Sequence, residues 1–119
     1  MKRNWDTIRK ILIQIEVLEP NEYLILSMFD EKERDEIYYH IELLLEAGLI
    51  EGKIHKTASK SPHEFHIERL SWNGHEFLDA IKVDSHWNKI KKYIKSKGID
   101  LGFDIIKITS LSIAKTLLI

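Results

Sequence analysis

The sequence predicts an α+β fold: helices around a two-stranded β-wing, with additional helices at the C-terminal end. Three observations predict it. Apolar residues recur at helical spacing over 4–18 and 31–47. Residues 49–54 and 65–70 are short strand-like runs on either side of a polar stretch. From residue 71 onward, helical spacing returns behind residues that cap helices. With 119 residues, 44% apolar and 31% charged, the chain has the size and balance of one domain, 1–119, that holds a core without staples.

The first helix, 4–18, starts at Asn4 as N-cap, with Asp6 in the first turn and Trp5, Ile8, Leu12 and Ile15 on one stripe. Ile11, Ile13 and Leu18 are read outside that stripe, which makes the helix apolar over more than half its girth. Glu19-Pro20-Asn21 stops it, and residues 23–26 form a short strand. The second helix, 31–47, has Asp30 as N-cap, Gly48 at C′, and Ile37, Ile41, Leu44 and Leu45 inward. The wing covers about 49–70: strands at 49–54 and 65–70, with a mobile tip between His55 and His63. Ser71 or Asn73 caps a short helix through Ile81, with Phe77, Leu78 and Ile81 inward. A helical extension fills about 84–119. Its first helix buries Trp87, Ile90 and Ile94 and ends at Gly98; the tail from 101 is helical by the spacing of Ile105, Ile108 and Leu111.

Two segments carry a resemblance. Tyr39 through Ile50, ending Ala47-Gly48-Leu49-Ile50, resembles the recognition helix and first wing strand of bacterial winged-helix repressors. Arg69-Leu70-Ser71-Trp72-Asn73-Gly74 resembles the step from their second wing strand into the next helix. Together with Trp5 through Leu12, Arg69 through Ile81 and Asp84 through Lys91, these segments are similar to the bacterial and phage domain-of-unknown-function family numbered 2513. The resemblance implies a winged-helix-like fold and a frequent home on prophages and other mobile elements. It brings no activity, cofactor or site residue with it. One departure stands out: only residues 19–30 are available for the helix that normally supports the recognition helix, so that helix is absent or reduced to a turn.

Charge is unevenly placed. Residues 1–50 carry six Lys/Arg against eleven Asp/Glu, and residues 51–119 carry twelve against eight. The second helix presents Glu31, Asp35, Glu42 and Glu46 to solvent, with Glu36 beside them. Facing about one phosphate charge per 1.7 Å of duplex, such a helix is repelled from a groove. It reads as a solvated or protein-binding face, with only Lys32 and Arg34 placed to reach phosphates. The wing is the opposite case: between Glu51 and Glu64 there is no acid, while Lys53, Lys56 and Lys60 are joined by His55 and His63. A basic wing lies along phosphates without reading bases. The helix after residue 84 is also basic, with Lys89, Lys91, Lys92, Lys95 and Lys97, and its lysines are read chiefly as solubilising.

Enzymatic chemistry is not expected. There is no cysteine, no Gly-rich phosphate loop and no paired-carboxylate site, so neither cofactor nor metal is assigned. His75-Glu76-Phe77-Leu78-Asp79 is a truncated zinc-helix pattern without a third ligand, and His63 and His66 point to opposite strand faces. His40 is read as a semi-buried packing histidine, and Trp5, Trp72 and Trp87 as core anchors. The charged N-terminus and interrupted apolar tail predict a cytoplasmic chain with no membrane partner. An Ile/Leu-rich tail too apolar for one side of a small monomer predicts a homodimer, with the tail packed beside Ile11, Ile13 or Leu18 of a second copy. Two functional readings follow: a DNA-binding accessory protein using the wing, or a protein-interaction module using Asp35, Glu42 and Glu46.

Overall fold

The computed structural model describes residues 1–56 and 63–117; the tip at 57–62, including Lys60 and the expected mobility there, lies outside the described residues. Two compact units divide the chain, residues 1–75 and 76–119.

In the first unit, helix α1 (Trp5–Glu16) begins where its cap dictates: Asn4 Oδ1 accepts from the amides of Asp6 at 2.9 Å and Thr7 at 3.1 Å. Trp5, Ile8, Leu12 and Ile15 are buried as expected, but Ile11 is fully buried with them. Ile11 is three residues past Ile8 and four before Ile15, so it belongs to the same stripe. Only Ile13 and Leu18, both half-buried, lie to the side. Ile11 is therefore not open to a second copy.

Strand β1 (Leu24–Ile25) is shorter than expected, and residues 19–30 hold a 3₁₀ turn, Leu26–Met28, and no α-helix. A second 3₁₀ turn, Glu31–Glu33, precedes helix α2 (Arg34–Glu46). The α-helix thus starts three residues later than its sequence implied, and the Asp30 side chain makes no cap bond. Its inward stripe is Ile37, His40, Ile41 and Leu44; Leu45 is half-buried and His40 takes the place assigned to it. Gly48, at φ +73°, turns the chain out of α2, with Gly48 N–H donating to Leu45 O at 3.1 Å and Leu49 N–H to Leu44 O at 3.0 Å.

Strands β2 (Ile50–His55) and β3 (Glu64–Leu70) pair antiparallel as predicted, and β1 joins the other edge of β3 to give sheet order β1-β3-β2. A bulge at Glu51/Gly52 shifts the register, and a Cβ on Gly52 would collide with the His66 carbonyl and Ile67 backbone. Phe65, Ile67 and Leu70 of β3 are buried, and α1 packs against β3 and α2.

Helix α3 (Trp72–Ile81) follows Ser71, which settles the cap between the two candidates: its Oγ accepts from the Gly74 amide at 3.0 Å. Trp72 is not a core anchor. It is 79% exposed, because the buried stripe of α3 runs Gly74, Phe77, Leu78, Ile81 and Trp72 points the other way. Trp5 and Trp87 are buried.

In the second unit, helix α4 (Asp84–Ser96) buries Trp87, Ile90 and Ile94 and ends toward Gly98 at φ +66°. Helix α5 (Phe103–Leu117) packs on α4, and its Phe103 ring stacks on Phe77 at 4.6 Å. The inward residues of α5 are Ile106 and Thr109, while Ile108 and Leu111, singled out by spacing, are 60% and 63% exposed. The tail is helical as predicted, over Phe103–Leu117. No helix among the described residues is long and apolar enough to cross a membrane.

Candidate functional site

Spacings of seven and four residues put Asp35, Glu42 and Glu46 on the side of α2 opposite Ile37, Ile41 and Leu44, and all three are exposed. Glu31, expected on this face, is exposed in the 3₁₀ turn before α2, and two further acids of the segment are engaged by α1. Glu33 pairs with Lys10 of α1 at 3.2 Å, and Glu36 accepts from Thr7 Oγ1 at 2.9 Å. No ion pair holds Asp35, Glu42 or Glu46 among the described residues. Beside the stripe, burial and then the Glu42 carboxylate push the Tyr38 phenol above its ordinary value of 10.0. Of the two cations near the helix start, Lys32 is exposed, whereas half-buried Arg34 donates Nε–H to the Phe29 carbonyl at 3.2 Å.

The orientation of α2 is fixed by His40. Its Nε2 accepts from the Asn4 amide at 2.8 Å, and Nδ1 lies 2.8 Å from the Glu36 carbonyl. A peptide N–H only donates, so Nε2 is the bare nitrogen and Nδ1 carries the proton.

At its other end, α2 is joined to the start of α3. The Ser71 amide donates to Leu49 O at 3.0 Å, the Ser71 hydroxyl to Gly48 O at 2.5 Å, and a Cβ on Gly74 would collide with the Leu49 carbonyl. The Gly48-Leu49-Ile50 and Ser71-Trp72-Asn73-Gly74 phrases are two halves of one joint.

On the wing, Lys53 lies opposite His66 in register, and Lys53 and Lys56 are exposed. They do not form a purely basic surface: Glu64 and Glu68 are exposed on β3, and Glu51 pairs with Arg69 across the strands. His55 Nε2 and His66 Nδ1 are 2.7 Å apart, and Tyr23 meets His66 edge-on at 5.4 Å. This cross-strand cluster escaped the sequence, since it depends on a register that puts His55 diagonal to His66. His63 sits elsewhere, edge-on to Tyr38 at 5.6 Å.

In the second unit, Lys89, Lys92, Lys95 and Lys97 are exposed along and just past α4. A groove of about 310 Å³ is lined by Asp79, His86, Ile90, Ser110 and Ile113 among others. Its hydroxyl is used structurally: Ser110 Oγ donates to the Ala80 carbonyl at 3.1 Å, near the end of α3. His75, Glu76 and Asp79 are exposed, and no group of three or more His, Asp or Glu among the described residues is arranged to hold a metal ion.

A family model described as "Hypothetical protein (DUF2513)" matches residues 2–100. A protein of Haemophilus influenzae (strain ATCC 51907 / DSM 11121 / KW20 / Rd), described as an uncharacterized protein, is 41% identical over 108 residues, covering 90% of each chain. No solved structure matches the chain. The family match takes in both halves of the joint, the wing and α4. On this match and this relative, the chain belongs to the DUF2513 family.

Proposed function

We propose that this protein is a cytoplasmic interaction module without enzymatic activity, built on a winged-helix-like unit whose α2 docks a positively charged protein surface. The order α1, β1, 3₁₀ turn, α2, β2, β3 supports the winged-helix-like part, with Leu26–Met28 standing where a supporting helix would be. One observation carries the functional part. The helix that would enter a DNA groove instead exposes Asp35, Glu42 and Glu46, with no ion pair among the described residues. Those carboxylates repel phosphates and attract a cationic surface.

Exposed Lys53 and Lys56 favour a second reading, in which the wing lies along a DNA backbone. One experiment separates the two. A labelled Lys/Arg-rich helical peptide and a labelled random-sequence duplex are each titrated with the full chain at low salt, with fluorescence anisotropy as readout. The proposal expects peptide binding that weakens with salt and is lost in Glu42→Lys/Glu46→Lys, and no duplex binding. Duplex binding that falls steeply with salt and is lost in Lys53→Glu/Lys56→Glu would overturn it in favour of the wing.

A further inference from the structure

The two units carry opposite charge: residues 1–75 hold ten Lys/Arg against fourteen Asp/Glu, and residues 76–119 hold eight against five. On the first unit Asp35, Glu42 and Glu46 stand together on the exposed face of α2. On the second, Lys89, Lys92 and Lys95 of α4 are exposed and none has an ion pair among the described residues. Lys89 and Lys92 lie opposite the buried stripe of Trp87, Ile90 and Ile94, so they stand on the face α4 turns to solvent.

A second observation concerns the aromatic rings. Cations cover several of them: Arg3 over Trp5 at 4.5 Å, Lys91 over Trp87 at 5.4 Å, Lys97 over Tyr93 at 5.4 Å and Lys107 over Phe103 at 5.2 Å. Trp72, the most exposed of the three tryptophans, has no cation on it among the described residues. It follows Ser71, whose hydroxyl is bonded to Gly48, so the residue that bears the open ring is joined through Ser71 to the turn two residues past Glu46. An acidic stripe joined in this way to an uncovered indole is a receptor for a helix bearing lysines.

We propose that α4 of a second copy of this chain docks on α2, its lysines facing Glu42, Glu46 and Asp35 and one of them covering Trp72. The inference rests on the reading of α2 as a docking face and names its occupant. Exposed ion pairs are individually weak, so the association is weak and strongly salt-dependent.

Sedimentation equilibrium of the full chain at low salt is the test, with thermal melts confirming that each variant folds. Glu42→Lys/Glu46→Lys and Lys89→Glu/Lys92→Glu should each abolish self-association, and their equimolar mixture should restore it. Lys107→Glu/Lys115→Glu, with the same net charge as the second variant and an intact α4 face, should still associate. Trp72→Ala should weaken association by roughly threefold to tenfold. A mixture that stays monomeric would overturn the inference, as would a wild-type chain that does not associate at all. Association that resists salt and both charge reversals but is lost in Leu111→Glu would place the contact on the exposed strip of α5 instead. If the cationic peptide still binds through Glu42 and Glu46 while self-association does not depend on them, the docking face stands and its occupant is another protein.

Discussion

His40 shows how one side chain sets the attitude of a helix. Sequence read it as a semi-buried packing residue outside the inward stripe; it is fully buried, and its partner at Asn4 is 36 residues away and invisible to local pattern. His40→Ala removes both ring bonds and leaves a cavity with an orphaned Asn4 amide, so it should cost about 2–4 kcal/mol in urea unfolding. A loss under about 0.5 kcal/mol would contradict that role. Tyr38 gives a second test at this scale. Its phenol is raised first by burial and second by Glu42, so Glu42→Gln should lower its ultraviolet titration midpoint only part of the way toward 10.0. The raised value favours the protonated phenol in the folded state. Its contribution is therefore complete below pH 10.0 and lost as pH rises through the folded value, and Tyr38→Phe should flatten that alkaline loss. Trp72 was misread as a core residue for a related reason: size argues for burial, but position one residue past a cap decides direction.

At the scale of elements, the helix start at Asn4 and the Gly48 exit were legible because each depends on contacts within a few residues, Ser71 was one of two candidate caps, and the two long strands were legible from their composition on either side of a polar stretch. The inward face of α5 was not. A helix with Ile105, Ile106, Ile108, Leu111 and Ile113 is apolar on most sides, so periodicity names no face and only α4 chooses Ile106 and Thr109. The bulge at Glu51/Gly52 was equally hidden, since a glycine in a strand signals close approach without saying to what. The joint between α2 and α3 yields a prediction. Ser71 Oγ donates to Gly48 and accepts from Gly74, so Ser71→Ala loses a cap and a bridge together and should destabilise by about 1–2 kcal/mol. Gly74→Ala should cost more than Ser71→Ala, because its Cβ meets backbone rather than a movable side chain. Equal urea midpoints for wild type and Gly74→Ala would contradict the joint.

Across the whole molecule, the acidic front and basic rear were legible as charge counts, and helical spacing alone put Asp35, Glu42 and Glu46 on one exposed stripe. Sequence did not show that Glu33 and Glu36 are engaged by α1, nor that Arg34 is held by Phe29, because those partners come from other segments. The wing looked more basic in sequence than it is in space, where Glu64 and Glu68 stand exposed on β3. The central claim is that the exposed face of α2 receives a cationic protein surface. The most direct measurement is the low-salt anisotropy titration of the full chain against the Lys/Arg-rich helical peptide, for wild type and for Glu42→Lys/Glu46→Lys. The account predicts salt-sensitive binding to wild type and a loss of at least roughly tenfold in the variant, the product of two weak ion pairs turned repulsive. Equal affinity of the two proteins for the peptide, or no binding by either, would contradict it.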